Sequence, residues 1–396
     1  MKKVLIIGAG FAGCAVSHIL SMEHDDLEIL VVDTANHLGA GVKTFFWGGH
    51  PYTFGPRHFL TKNAKIYEFF NKIIPLRDIS NHRFLTYVER DNDFYNMPIS
   101  YDDIFKMPDK DKIFNQLDEI KKNKSTEIES SNLEEYWHNN IGTILYDKMV
   151  NDYNKKMWMV NDNKVFKTFK WTTKGDPIAK GNRAAFDDGV FSCYPYAING
   201  YNDYFDLAVK KSKVLLNTKI ENIIPQKKEV TINSEKYKFD IIISTISPDE
   251  LFGKCYGSLK YIGRDFHKIV LPMENCFPKD VFFLYYANTE SHTRIVEYKK
   301  LSNFKSKTTF LGLEIPSNNG KYYPLPFEDQ QKLAKKYQDE LPPNFYSMGR
   351  NGSYRYSVDI DDCIEQAFEV SKQIKNNTWE HSVPTAKHRR NDFGEY

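Results

Sequence analysis

The chain has 396 residues, and its 54 Lys and Arg against 52 Asp and Glu leave a formal net charge of only +2. That length accommodates two or three domains, and that balance gives no argument for nucleic acid or membrane binding; no stable membrane insertion is expected. The five cysteines (Cys14, Cys193, Cys255, Cys276 and Cys363) are scattered and odd in number, with no CxxC, and read as reduced thiols rather than a disulfide frame or metal site.

The first element predicted is a strand, Lys3 to Ile7, running straight into Gly8-Ala9-Gly10-Phe11-Ala12-Gly13. A helix-compatible stretch follows, then a second strand, Leu27 to Val32, that ends on Asp33. This is the order of a dinucleotide-binding βαβ unit. Gly8 permits the turn, Gly10 lets backbone approach a pyrophosphate, and Gly13 lets the helix lie on the strand. The helix N-terminus offers N–H groups to the phosphates, and Asp33 is placed to accept from an adenosine ribose. The motif alone does not separate FAD from NAD, and an ordinary βαβ unit with incidental glycines is the plain alternative. No apolar run reaches transmembrane length, and the opening strand leaves no signal-peptide pattern, so a cytoplasmic protein is expected.

A second glycine cluster, His37-Leu38-Gly39-Ala40-Gly41, comes directly after Asp33. Residues 62–170 change character, with few β-branched runs and many helix formers, and read as mostly helical, one helix starting at Asn132-Leu133-Glu134-Glu135. Residues 171–200 are rich in Gly, Pro and Asn. Strands are expected at Val214–Ile223, Glu229–Ile246, Val281–Tyr286, Thr293–Tyr298 and Thr308–Ile315, and a final helix at Asp359–Lys375. The fold class expected is α/β: a Rossmann-like FAD-binding domain (1–61 with about 200–250 and 345–396), a helical insert (about 62–170), and a mixed or antiparallel β-sheet domain (about 171–199 and 255–344).

Several short motifs now fall in one order. They are His37-Leu38-Gly39, Tyr95-Asn96-Met97-Pro98, Asn132-Leu133-Glu134-Glu135 with Gly142-Thr143-Ile144-Leu145-Tyr146, and Tyr153-Asn154-Lys155-Lys156-Met157-Trp158. Asn199-Gly200-Tyr201, Thr293-Arg294-Ile295-Val296-Glu297, Tyr322-Tyr323-Pro324, Gly349-Arg350 and Tyr354-Arg355-Tyr356 complete the series. In this order and spacing the chain resembles the flavin-dependent UDP-galactopyranose mutases over nearly its whole length, as a divergent member.

The resemblance implies an isomerase that interconverts pyranose and furanose forms of a nucleotide-diphosphate sugar (UDP, dTDP or GDP), supplying furanose for capsule or O-antigen polysaccharide. It implies reduced FAD whose N5 attacks the anomeric carbon and expels the diphosphate, external NAD(P)H as reductant, and a homodimer. Arg294 would clamp the diphosphate. Tyr322, Tyr323 and Tyr356 would bond its oxygens, and Tyr153 and Trp158 would line the base and sugar end. Asn96 falls in a matched motif and joins the substrate residues. Gly8, Gly10, Gly13, Asp33, Gly39, Gly41 and Arg350 would hold the cofactor.

Two departures stand out. The family's Gly-Ala-His-x-Phe-His-Thr is here Gly55-Pro56-Arg57-His58-Phe59-Leu60-Thr61, which puts Arg57 and His58 near the flavin. The family's Pro-Val-Arg is here Pro177-Ile178-Ala179, so that Lys180 or Arg183 would have to replace a phosphate-binding arginine. The rival function is an FAD-dependent oxidoreductase of the amine-oxidase-like group, because the nucleotide fold is shared and fold does not fix function. The two departures leave a third reading, a flavin-binding protein whose active site has decayed.

Overall fold

The apolar runs near the start of the chain and before residue 245 have to be covered on both faces, and a parallel sheet with a layer on each side meets that need. In the computed structural model, which describes residues 1–123, 130–167, 177–179 and 189–384, five strands lie parallel. Their order is Lys213–Leu215, β2 (Leu27–Val32), β1 (Lys2–Ile7), Ile241–Ser244 and Phe345–Ser347. On one face Val4, Ile6, Ile29, Val31, Ile241 and Ile243 pack under helix α1 (Phe11–Glu23) and the last helix, Ile360–Asn376. On the other, Leu5, Ile7, Val32 and Ile242 meet the small antiparallel sheet Ile220–Ile224, Glu229–Ile232 and Glu235–Lys238. The last helix starts at a reciprocal cap, Asp359 with Asp362.

A second sheet of seven strands runs Tyr323–Pro324, Tyr261–Leu271, Thr309–Ser317, Arg294–Glu297, Val281–Tyr286, Arg83–Val88 and Asp93–Met97. It is antiparallel except where Val281–Tyr286 lies parallel to Arg83–Val88. The helices Lys110–Asn123, Leu133–Met149 and Asn151–Trp158 form a third cluster around Trp137, Ile141, Leu145 and Trp158. Asn132 caps the middle helix, accepting from the Glu135 N–H at 3.0 Å.

Four differences from the sequence reading appear. The expected strand Glu229–Ile246 divides into Glu229–Ile232, Glu235–Lys238 and Ile241–Ser244, the last of which joins the parallel sheet. Residues 76–97 were expected in the helical stretch but carry the strands Leu76–Asp78, Arg83–Val88 and Asp93–Met97. Arg83–Val88 is rich in the aromatic and β-branched residues that favour strands and takes partners on both sides. The expected strand Val214–Ile223 divides into Lys213–Leu215 and Ile220–Ile224, which join different sheets. Tyr298 opens a short helix instead of ending the strand before it.

Candidate active site

Gly8, Thr245 and Gly349 each follow the carboxyl end of a parallel strand, the place where open α/β sheets take ligands. Gly8 has φ +99°, and a side chain on it would meet Thr245 Oγ1 at 2.2 Å. On Gly13 it would meet the Gly8 carbonyl at 1.9 Å, so the helix rests directly on the turn. Gly10 stands at the N-cap of α1 with no side-chain cap, leaving the first N–H groups of the helix for a ligand. Gly39 bridges Gly10, and its N–H donates to the Ala9 carbonyl at 2.8 Å. The Asp33 carboxylate accepts from Ala9 N at 2.6 Å and Ala35 N at 2.7 Å. A carboxylate has about four acceptor positions, so two remain for a ribose. The cradle fits the pyrophosphate and ribose of a dinucleotide.

Beyond the cradle lies a cluster of arginines and tyrosines centred on Tyr323, which is 9% exposed. The Arg264 guanidinium sits 4.8 Å from its ring centre and that of Arg350 5.4 Å. Tyr356 packs against Tyr323 at 5.6 Å, and Arg350 reaches Tyr356 as well at 5.9 Å. Arg294 donates from Nε and Nη2 to the two oxygens of buried Glu314, at 3.1 and 2.7 Å, and faces the Tyr285 ring at 5.9 Å. The pair is fixed by strand register, Arg294 opposite Glu314. Tyr153 packs on Tyr285 at 6.0 Å. Arg294 Nη2 and Arg57 Cζ lie 3.4 and 3.8 Å from the point where a Gly55 side chain would begin, so two guanidiniums converge there. A small cavity opens at this place, lined by Phe54, Gly55, Arg264, Phe266, Glu314, Tyr322 and Tyr323.

The charges do not cancel. Arg294 is matched by Glu314 and Arg350 by Asp359, whose Oδ1 accepts from Arg350 Nη2 at 2.6 Å. Arg57 donates its Nε to the Gly41 carbonyl at 3.1 Å, and Arg264 donates to the Gly263 carbonyl at 2.7 Å and to the Met157 sulfur. Among the described residues neither has a carboxylate partner. Burial alone would raise the Tyr323 phenol, but Arg57, Arg264 and Arg294 outweigh it and hold it below the ordinary value of 10. Burial pushes Tyr356 up to about 12. It also raises Tyr153 and Tyr285, which stay neutral donors.

The predicted residues sort as follows. Arg294, Arg57, Arg350, Tyr153, Tyr322, Tyr323 and Tyr356 come together. Trp158 is 1% exposed inside the helical core and meets the cluster edge-on at Tyr356, 5.0 Å away, so it supports that ring from behind. His58 stacks on His82 at 5.3 Å, and loss of water followed by the charges of His82, Arg294 and Arg57 drives its basicity well below 6.5. Asn96 turns away from the cluster, its amide donating to Asp103 at 2.8 Å and its oxygen accepting from Arg83 at 3.1 Å. Gly41 lies beside Arg57, 3.5 Å from its Nη2 at the side-chain position. Ala179 is buried and bridged to Ser100, while Lys180 and Arg183 lie outside the described residues. Arg264, Tyr285 and Glu314 were not anticipated. The only signal for Glu314 was a lone acid in an apolar strand.

The chain matches the UDP-galactopyranose mutase family profile over residues 148–356 and an NAD(P)-binding Rossmann-like domain over residues 6–73. It is 24% identical to the dTDP-fucopyranose mutase of Escherichia coli, covering 95% of this chain and all of the relative. It is 22% identical to the UDP-galactopyranose mutase of Mycoplasma pneumoniae, covering 93% and 95%. Among solved structures, a reduced UDP-galactopyranose mutase superimposes with a TM-score of 0.81 at 16% identity, covering 96% and 95%. A putative protoporphyrinogen oxidase from Exiguobacterium gives 0.67 at 13% identity, covering 95% and 99%. At those identities the two structures speak for the fold alone.

Proposed function

As the chain belongs to the UDP-galactopyranose mutase family and is an isomerase acting on a nucleotide sugar, we propose that it interconverts the pyranose and furanose rings of a nucleoside-diphosphate sugar with FAD as cofactor. One observation carries this reading to the site. Four guanidiniums, Arg57, Arg264, Arg294 and Arg350, gather about Tyr323 and Gly55 against two carboxylates, an excess of two positive charges that a diphosphate would neutralise.

Glu314 holds Arg294 by both nitrogens, so the guanidinium is oriented before the substrate arrives. Arg294 then meets the diphosphate as it leaves the anomeric carbon and keeps it in place for its return. Arg264 and Arg57 supply donors not taken by carboxylates. The hydroxyls of Tyr322, Tyr323 and Tyr356 complete the oxygen contacts, and Tyr153 with Tyr285 forms an apolar wall for the sugar or base. Lys180 or Arg183 would add one more cation. On the cofactor side, Gly8, Gly10, Gly13, Gly39 and Gly41 would border the pyrophosphate, Arg350 would offset its charge, and Asp33 would take the ribose. Bound FAD, kept reduced by NAD(P)H, supplies a nucleophilic nitrogen. Arg57 and His58 would lie beside its ring, so Arg57→His should shift the flavin potential.

The test is to reduce the protein with dithionite without oxygen and offer UDP-galactopyranose and dTDP-fucopyranose. Products are separated, and a parallel sample receives cyanoborohydride before the released flavin is weighed. A furanose product with no net oxidation, and a flavin heavier by one sugar, supports the proposal. In a parallel aerobic assay without dithionite, oxygen consumed in proportion to substrate, with no ring change, would replace it with the oxidoreductase reading.

A further inference from the structure

The overall balance of charge hides an uneven surface. β3 (Phe45–Trp47) and β4 (His50–Tyr52) form a hairpin closed by Gly48 and Gly49, both at positive φ. Phe46 and Trp47 beside that turn are 51% and 52% exposed. His50, opposite Trp47, turns inward, its Nε2 2.9 Å from Thr308 Oγ1 and its ring against Phe304 and Phe310.

The neighbouring strand Tyr261–Leu271 presents alternate residues to this hairpin. Phe266 stacks on Tyr52 at 5.6 Å, and Lys268 Nζ lies 4.3 Å from the Trp47 ring centre. Val270, next on that side and paired with Phe310, is 44% exposed, and Met273 beyond it is 46% exposed. Lys305 and Lys307 stand exposed on either side of Ser306, one residue from Thr308.

Two buried charges fix the loops that carry these residues. Lys299 donates to the carbonyls of Glu274, Ser306 and Thr308 at 2.5, 2.7 and 3.0 Å. Glu297 accepts from Cys276 N, Phe277 N and Thr309 Oγ1 at 2.8, 2.9 and 2.6 Å. The surface is therefore set in advance. Across residues 45–52, 266–277 and 303–308 the exposed lysines are Lys268, Lys305 and Lys307, and Glu274 is the one carboxylate.

We propose that this face docks the protein on a membrane surface rich in anionic phospholipid. Phe46 and Trp47 enter the headgroup layer with Val270 and Met273 beside them, and the three lysines meet the lipid phosphates. Lysine stems cover apolar surface while their ammonium groups stay at the polar level, as Lys268 does over Trp47. An isolated exposed apolar residue needs no explanation, but Phe46 and Trp47 at one hairpin tip, with Lys268 over the Trp47 ring, do. The face also lies next to the sugar site, because Phe266, stacked on Tyr52, lines the cavity beside Gly55 and Arg264.

The experiment is sedimentation of the full-length flavin-loaded protein with vesicles of phosphatidylcholine alone or mixed equally with phosphatidylglycerol. Binding to the mixed vesicles is expected, with release at 0.5 M salt. The double variant Phe46→Ser/Trp47→Ser and the triple variant Lys268→Gln/Lys305→Gln/Lys307→Gln should each bind at least tenfold more weakly. Both sets of side chains are exposed, and unchanged thermal unfolding checks that the variants fold. Wild-type protein left in the supernatant, or variants that sediment as well as wild type, would overturn the proposal. A concentration-dependent dimer abolished by Phe46→Ser/Trp47→Ser, without vesicle binding, would assign the face to a second copy instead. Neither result depends on which sugar the enzyme converts.

Discussion

Two groups of charge in this chain, one buried and one half-buried, are built on opposite principles. Where the helical cluster meets the seven-stranded sheet, Lys148 is 3% exposed and all three of its donors are taken, two by Asp91 and one by Asp109, each at 2.7 Å. Tyr95 donates to Asp91 as well, at 2.9 Å. Around Tyr323, by contrast, Arg57 and Arg264 bond to main-chain carbonyls and a sulfur, with most of their donors unclaimed by any described acid. A buried cation with every donor satisfied holds a fold together, whereas half-buried cations with donors to spare are complementary to a ligand. The first group is structural, and the second is the proposed diphosphate site.

The largest expected effect tests the site. Arg294→Ala should lower kcat/KM by about a thousandfold or more, since an oriented donor facing developing charge is removed. Bound flavin, read from its absorbance, should remain. Full activity would remove the assignment of Arg294. Next is the structural group: Lys148→Met should cost about 3–5 kcal/mol in denaturant unfolding, because it leaves Asp91 buried without its partner. Arg264→Gln should behave in the opposite way. It leaves no carboxylate orphaned, so unfolding should change by less than about 1 kcal/mol, while KM for the nucleotide sugar should rise about tenfold or more. If Arg264→Gln destabilised as much as Lys148→Met, the distinction between the two groups would fail.

Two smaller effects depend on pH. Tyr323 has its phenol held below 10, so it ionises in the folded protein before an unfolded tyrosine would. Its ionisation cancels one of the excess charges. KM should therefore rise as pH climbs through that range towards 10, and Tyr323→Phe should remove this rise. The same ionisation adds a little stability over that window, because the folded state holds the anion better than the unfolded one. His58 works from the acid side. Its folded-state basicity lies well below 6.5, so below 6.5 the unfolded chain binds the proton that the folded chain refuses. Stability from this group is complete above 6.5 and is lost as pH falls further. His58→Gln should flatten the drop in melting temperature between pH 7 and 5. His82, also held low by burial, should leave part of it.

The sequence made some of this legible and hid the rest, for reasons that follow contact distance along the chain. The glycine turn, β1, α1, β2 and Asp33 lie within about thirty residues, so spacing alone carried the unit. Arg294 was found because its strand matched a short motif, but its partner Glu314 needed the register of two strands twenty residues apart. Arg264 owes its role to a crossing with Tyr323, and no local pattern marks it. Trp158 falls on the expected helix, yet its contact with the cluster is made through Tyr356, nearly two hundred residues later. The strands at 76–97 are short, and two of them find sheet neighbours far along the chain, Arg83–Val88 at residues 281–286 and Leu76–Asp78 at residues 191–195.

Titration calorimetry on the reduced protein with UDP and dTDP, set against UMP and dTMP, addresses the reading of the arginine cluster most directly. Diphosphates should bind at least tenfold more tightly than monophosphates, and the difference should shrink in Arg264→Gln. Equal binding of mono- and diphosphates, or no binding of either, would contradict the claim that the unmatched guanidiniums around Tyr323 are there for a diphosphate.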